Sequence, residues 1–84
     1  MKIMKSIILY YSPNDQFSAD LRYFLKSLQL DFEEHDVTLD EKASEEAEKK
    51  SGQLGLPVLE IDSEIIVGFD KERVLGVLKS QKLI

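Results

Sequence analysis

A run of apolar residues that ends in two tyrosines, and passes through a four-residue turn straight into a helical pattern, sets the limits on how this chain folds. The run spans 5–11 and carries Ile7, Ile8, Leu9, Tyr10 and Tyr11 in succession. It is too continuously apolar for a strand with one wet face and reads as a central strand covered on both sides. Ser12, Pro13, Asn14 and Asp15 follow, and then Phe17, Leu21, Phe24, Leu25 and Leu28 at helical spacings. Those five side chains share one helical face, with Asp20, Arg22, Lys26 and Gln29 opposite. Pro13 suits the entry to a helix and Asn14 or Asp15 can cap it, so a helix is expected over 15–28. A strand that feeds a helix N-terminus brings unpaired backbone N–H groups and the positive end of the helix dipole to the surface, where an anion is favoured.

Further along, 30–37 carries Phe32, His35 and Val37 among acidic residues and reads as a shorter, more exposed strand. Strand, helix, strand implies a right-handed parallel unit. Thr38 with Glu41 matches a capping box, and the stretch rich in Ala, Glu and Lys up to Ser51, stopped by Gly52, reads as a second helix. Glu45–Lys49 and Glu46–Lys50 have the favourable order for pairs along it. Its apolar face is only Leu39, Ala43 and Ala47, so it is expected to be the most loosely attached element. Pro57 opens an alternating strand that ends at Ile61, and Asp62-Ser63 turns it into Ile65-Ile66-Val67. After Gly68 and Phe69, Asp70 caps a last helix whose buried stripe is Val74, Val77 and Leu78.

The 84 residues suit one domain, 1–84. A net charge of −5, with acidic residues crowded between Asp31 and Glu48, argues against nucleic acid as a partner. No apolar run approaches the ~18 residues of a membrane span, and the first six residues lack a leader pattern. The expectation is a cytoplasmic protein with no membrane partner. There is no cysteine, so no disulfide, thiolate metal site or thiol nucleophile is available. His35, the one histidine, lies among Glu33, Glu34 and Asp36 and reads as a solvated edge residue; no metal site is expected.

Taken together, the element order and several local patterns resemble the glutaredoxins. Those patterns are the tyrosine-ended first strand, Pro13, Phe24-Leu25, the stretch from Leu30 to Val37, the segment from Ser51 to Asp62 with Pro57, and Val67-Gly68-Phe69-Asp70. The resemblance implies an α/β, thioredoxin-like (glutaredoxin) fold: a four-stranded mixed sheet of order 2-1-3-4 with three helices, βαβαββα. It places the family's Cys-x-x-Cys on Asp15-Gln16-Phe17-Ser18, so both cysteines are replaced. Thiol–disulfide exchange requires a thiolate, and no such oxidoreductase activity is expected. The resemblance also puts Pro57 at the family's cis-proline, the Leu56 backbone where glutathione's extended peptide pairs, and Gly68, Phe69 and Asp70 where its glutamyl end is held. Phe17 matches the aromatic residue between the cysteines. Ser12 replaces a lysine that helps to hold the glycyl carboxylate.

The implied cleft is therefore Ser12, Asp15, Phe17, Leu56, Pro57, Gly68, Phe69 and Asp70, with no catalytic residue assigned. Asp15 reads first as a helix cap worth ~1 kcal/mol. Ser18 reads as a small filler, since nothing in the sequence places a base beside it. The expected function is a binding module without turnover, taking a peptide, a protein partner or a small thiol ligand. No cofactor is required, and glutathione is held weakly at most. Two alternatives use the same residues: a glutathione-dependent enzyme that does not perform thiol–disulfide exchange, such as a transferase, and a structural or assembly protein that pairs through a sheet edge. The sequence sets no oligomeric state.

Overall fold

In the computed structural model, which describes residues 6–84, the apolar run forms β1 (Ile7–Tyr11). Lys5, at the head of the expected strand, lies outside the described residues, as do the four residues before it. There follow α1 (Gln16–Ser27), β2 (Glu33–Asp36), α2 (Glu41–Ser51), β3 (Val58–Ile61), β4 (Glu64–Val67) and α3 (Lys71–Ser80). The sheet has the order β2-β1-β3-β4. β2 runs parallel to β1, β3 antiparallel to it, and β4 antiparallel to β3. This is the mixed 2-1-3-4 sheet and the βαβαββα order that the resemblance implied.

Alternation along β1 explains why its sequence is apolar throughout. Ile7 and Leu9 point to one face, where they meet Leu21 and Leu25 of α1, Leu59, Ile61 and Ile66 of the sheet, and Val74 and Leu78 of α3. Ile8 and Tyr10 point to the other, against Ala43 and Ala47 of α2 and Val58. Both faces of the strand are thus covered, and the two tyrosines divide between them, Tyr11 packing on the α1–α3 side. The two cores are unequal. One is built from Leu, Ile and Val, the other from a tyrosine, a valine and two alanines, so most of the area-proportional stabilisation lies beneath α1 and α3.

Local chemistry fixes the element ends. Asp15 caps α1, its Oδ2 accepting from Ser18 N at 2.9 Å, whereas Asn14 N donates to Ser12 Oγ at 3.2 Å and Asn14 stays in the turn. The second strand is shorter than 30–37. Leu30 and Phe32 pack on the core from the preceding loop, and Val37 N donates to Tyr11 O at 3.0 Å just past the strand. The expected capping box at Thr38 does not form. Asp36 Oδ1 accepts from both Thr38 N, at 2.9 Å, and the Thr38 hydroxyl, which folds 36–38 into its own turn. Capping therefore falls to Asp40, whose Oδ1 accepts from Lys42 N (3.0 Å) and Ala43 N (3.3 Å). Leu39, left ahead of the helix, is 85% exposed rather than part of its apolar face.

At the far end of α2, Gly52 takes φ 77 and its N–H donates to Glu48 O at 2.8 Å, a left-handed stop that glycine adopts without strain. Pro57 precedes β3 rather than starting it, and the Leu56–Pro57 peptide bond is cis. The β3–β4 register pairs Ile61 with Glu64, leaving Asp62 and Ser63 as a two-residue turn with Asp62 at φ 56. Asp70 caps α3 through Arg73 N at 3.2 Å; Val74 and Leu78 are fully buried and Val77 partly so.

Candidate functional site

Strand register gathers the implied cleft at one end of the sheet. Tyr10 is paired with Val58, and Val58 with Val67. Hence the turn after β1, the residues just before β3 and the residues just after β4 emerge side by side. Gly68 N donates to Pro57 O at 2.8 Å, tying two of these segments together. Gly68 has φ 82, a conformation that a side chain would strain. Both helices on the larger core begin at this same end, since α1 follows β1 and α3 follows β4.

The individual residues then sort themselves. Ser12 is buried: its Oγ accepts from Asn14 N and its carbonyl accepts from Asp15 N at 3.1 Å, so its side chain holds the turn instead of facing a ligand. Asp15 and Asp70 each cap a helix N-terminus with a carboxylate. The favourable positive potential at those ends is thereby met from within the chain. Phe17, on the first turn of α1, is 61% exposed. Leu56 and Phe69 flank the site on opposite faces of the sheet. Leu56 packs on the α2 side beside a hollow lined by Val37, Ser44 and Gln53. Phe69 packs on the α1–α3 side, its ring 5.6 Å from that of Phe24 and beside a hollow that also includes Tyr23 and Lys71.

A fold of this form has known counterparts. The glutaredoxin family model matches residues 7–66, which is most of the chain. The chain belongs to the glutaredoxin family. A curated relative, an uncharacterized glutaredoxin-like 8.6 kDa protein in a rubredoxin operon of Clostridium pasteurianum, is 38% identical over 68 residues, covering 81% of this chain and 91% of its own. Among solved structures, the thioredoxin-like protein BC3987 superposes with a TM-score of 0.81 at 27% identity, covering 87% of this chain and 100% of that one. The glutaredoxin from Archaeoglobus fulgidus gives 0.82 at 20% identity, over 89% and 87% of the two chains, a likeness of fold.

This chain has no sulfur nucleophile. With no cysteine in the sequence it forms no mixed disulfide. Ser18 is fully buried, and its hydroxyl has no hydrogen-bond partner among the described residues, so no group stands ready to take its proton. His35 Nε2 lies 3.0 Å from Glu33 Oε2 and its ring stacks on Tyr10 at 5.5 Å. Among the described residues, no cluster of His, Asp and Glu is arranged to hold a metal ion, and no helix is long and apolar enough to cross a membrane.

One polar cluster in this glutaredoxin escaped the sequence reading. The Tyr10 side chain is almost completely buried; its hydroxyl donates to Glu46 Oε2 at 3.2 Å and accepts from Lys50 Nζ at 2.8 Å. Lys50 Nζ also donates to Glu60 Oε1 at 2.6 Å. At 2.8 Å from the hydroxyl and 5.1 Å from the ring centroid, the ammonium sits at the hydroxyl end of the ring rather than over its face. The Glu46–Lys50 spacing was the available signal. That spacing predicts a pair along the helix, but both side chains converge on a tyrosine supplied by another element.

The cluster makes stability depend on alkaline pH. Burial holds the Tyr10 phenol above its ordinary 10.0, against the pull of Lys50. Burial acts to lower Lys50, but its hydrogen bonds to Glu60 and Tyr10 outweigh this, and the ammonium titrates above its ordinary 10.5. The folded state holds both protons more tightly than the unfolded chain. This contribution is fully present below the unfolded values and is lost as pH rises through the folded ones. Urea unfolding midpoints are expected to fall above pH ~10, and to fall less steeply in Tyr10→Phe, which has one such proton fewer. Equal alkaline slopes in the two proteins would contradict this assignment.

Proposed function

We propose that this glutaredoxin is a binding module without thiol–disulfide turnover, and that it holds an extended, uncharged or weakly charged segment at the sheet end formed by Asp15, Pro57 and Gly68. The segment belongs to a peptide, a protein partner or a small thiol. The observation that carries the reading is the pair of helix N-termini at this end, each closed by the chain's own carboxylate, in a protein with no cysteine. An anionic ligand there meets Asp15 and Asp70 and gains no cation from Ser12, which is turned into the loop. A backbone ligand that runs along Leu56 avoids that conflict, since it is read through main-chain hydrogen bonds. A cytoplasmic setting belongs to the same reading.

The test compares glutathione with its carboxyl-amidated form by nuclear magnetic resonance titration. The amidated ligand is expected to bind more tightly and to shift the amides of Phe17, Leu56, Gly68 and Phe69, while neither thiol supports reduction of a small disulfide. Tighter binding by free glutathione would favour the glutathione-dependent enzyme instead, and protein-dependent disulfide reduction would end the proposal. Assembly through the β2 edge is disfavoured because a second copy would bring Glu33, Glu34 and Asp36 against the same charges. Light scattering across concentration is expected to show no growth in mass.

A further inference from the structure

We propose that Lys50 is a positioning residue for the ligand-presenting loop: by tying the last turn of α2 to both β1 and β3, it fixes the near end of the 52–57 segment. The assignment rests on the reading of Leu56 as ligand-facing backbone. Three observations carry it.

The first is that α2 has little else to hold it down. Its buried apolar side chains are Ala43 and Ala47, whereas α1 offers Leu21 and Leu25 and α3 offers Val74 and Leu78. Alanines bury too little apolar surface to anchor a charged helix strongly. The second is the position of the tie. Lys50 stands one residue before the end of α2, and its ammonium reaches Tyr10 of β1 at 2.8 Å and Glu60 of β3 at 2.6 Å. The Lys50 and Glu60 side chains are only 32% and 19% exposed, so solvent screens the pair less than it screens a surface ion pair. Glu46, one turn earlier, meets the same tyrosine hydroxyl, giving the helix a second polar foothold.

The third is what lies beyond. Past Gly52 the chain makes a loop in which Ser51 Oγ bonds the Gln53 backbone and Leu54 is 79% exposed, before Leu56 packs beneath α2. The far end of this loop is fixed by the Gly68–Pro57 hydrogen bond. Its near end is fixed only as well as the last turn of α2 is. When the Lys50 tie breaks, α2 and the loop open together, and a ligand must bear the cost of ordering them.

Hydrogen exchange on the full chain tests this. In Lys50→Met, amides over 41–56 are expected to exchange at least about tenfold faster, while those of α1 and α3 keep their rates. Lys50→Arg, which preserves the charge and its donors, is expected to restore most of the protection. Should Lys50→Met fail to fold, Glu60→Gln supplies the milder break and the same regional pattern is expected. Uniform acceleration across the chain, or no change over 41–56, overturns the role. The exchange pattern needs no ligand, so it stands or falls separately from the binding reading. Titration with the amidated peptide then asks whether the opened loop also weakens binding, and unchanged affinity with an opened loop would remove Lys50 from ligand presentation.

Discussion

Introducing Asp15→Cys together with Ser18→Cys is expected to turn a chain without thiols into a redox-active dithiol. The expectation follows from what those positions offer. Residue 15 stands just ahead of the 12-residue α1, where the Ser18 N–H now donates to the Asp15 carboxylate at 2.9 Å. A thiolate placed there inherits that N–H and the helix dipole, worth about 0.3–1 kcal/mol and up to about 2 in partly buried sites. At about 1.4 kcal/mol per pKa unit, the new thiol should titrate up to about 1.5 units below the usual cysteine value. Residue 18 is fully buried, which suits the second, resolving sulfur. Side chains three apart on a helix have Cβ atoms about 5–6 Å apart, and a disulfide needs about 3.5–4.5 Å, so the bond closes only if residue 15 moves inward. Its backbone is extended, at φ −104 and ψ 123, and its carbonyl accepts from Ala19 N at 3.0 Å, so the shift has to keep that first bond of the helix. The loss of the aspartate cap costs ~1 kcal/mol of stability. Alkylation rate against pH reports the thiol, and glutathione-driven reduction of a small disulfide reports turnover. An ordinary thiol pKa with no turnover would mean that this end of the sheet is not organised as a glutaredoxin site.

The fold was legible because its signals are local and mutually consistent. The continuous apolar run of β1 demanded two covered faces, the spacing from Phe17 to Leu28 gave α1, and Asp15 and Asp70 marked helix starts that the structure confirms. Errors arose where two local motifs compete for the same residues. Thr38 and Glu41 have the spacing of a capping box, yet Asp36 captures Thr38 first and Asp40 is left to cap, an outcome decided by which carboxylate reaches which N–H. Site residues supplied by the resemblance share a sheet end because the register of β1, β3 and β4 brings them there, something pairing decides and no single segment encodes. The Tyr10, Glu46, Lys50 and Glu60 cluster was hidden for the same reason. Its members are 36, 40 and 10 residues apart along the contacts that join them, and only the pleat of β1, turning Tyr10 toward α2, makes them neighbours.

The unequal cores make a further strong prediction: Leu59→Ala is expected to remove a large share of the folding free energy. Leu59 is fully buried in β3, in register with Leu9 on one side and Ile66 on the other, all three in the core beneath α1 and α3. Truncation deletes the end of the side chain where three strands and two helices close on it, so the surroundings have little freedom to collapse into the space. Substitutions of this type cost about 2–5 kcal/mol, with tightly enclosed sites toward the upper end. A chain of this length is held by about 4–13 kcal/mol in all, and each kcal/mol lost lowers the melting temperature by about 4–8 °C. A fall of roughly 10–40 °C is therefore expected, with the variant partly unfolded at physiological temperature if it starts near the lower bound. Differential scanning calorimetry measures it directly. A loss under about 1 kcal/mol would mean that α1 and α3 do not seal this face as tightly as the burial of Leu21, Leu25, Val74 and Leu78 requires. The predicted dominance of the leucine-rich core over the alanine-lined one would then fail with it.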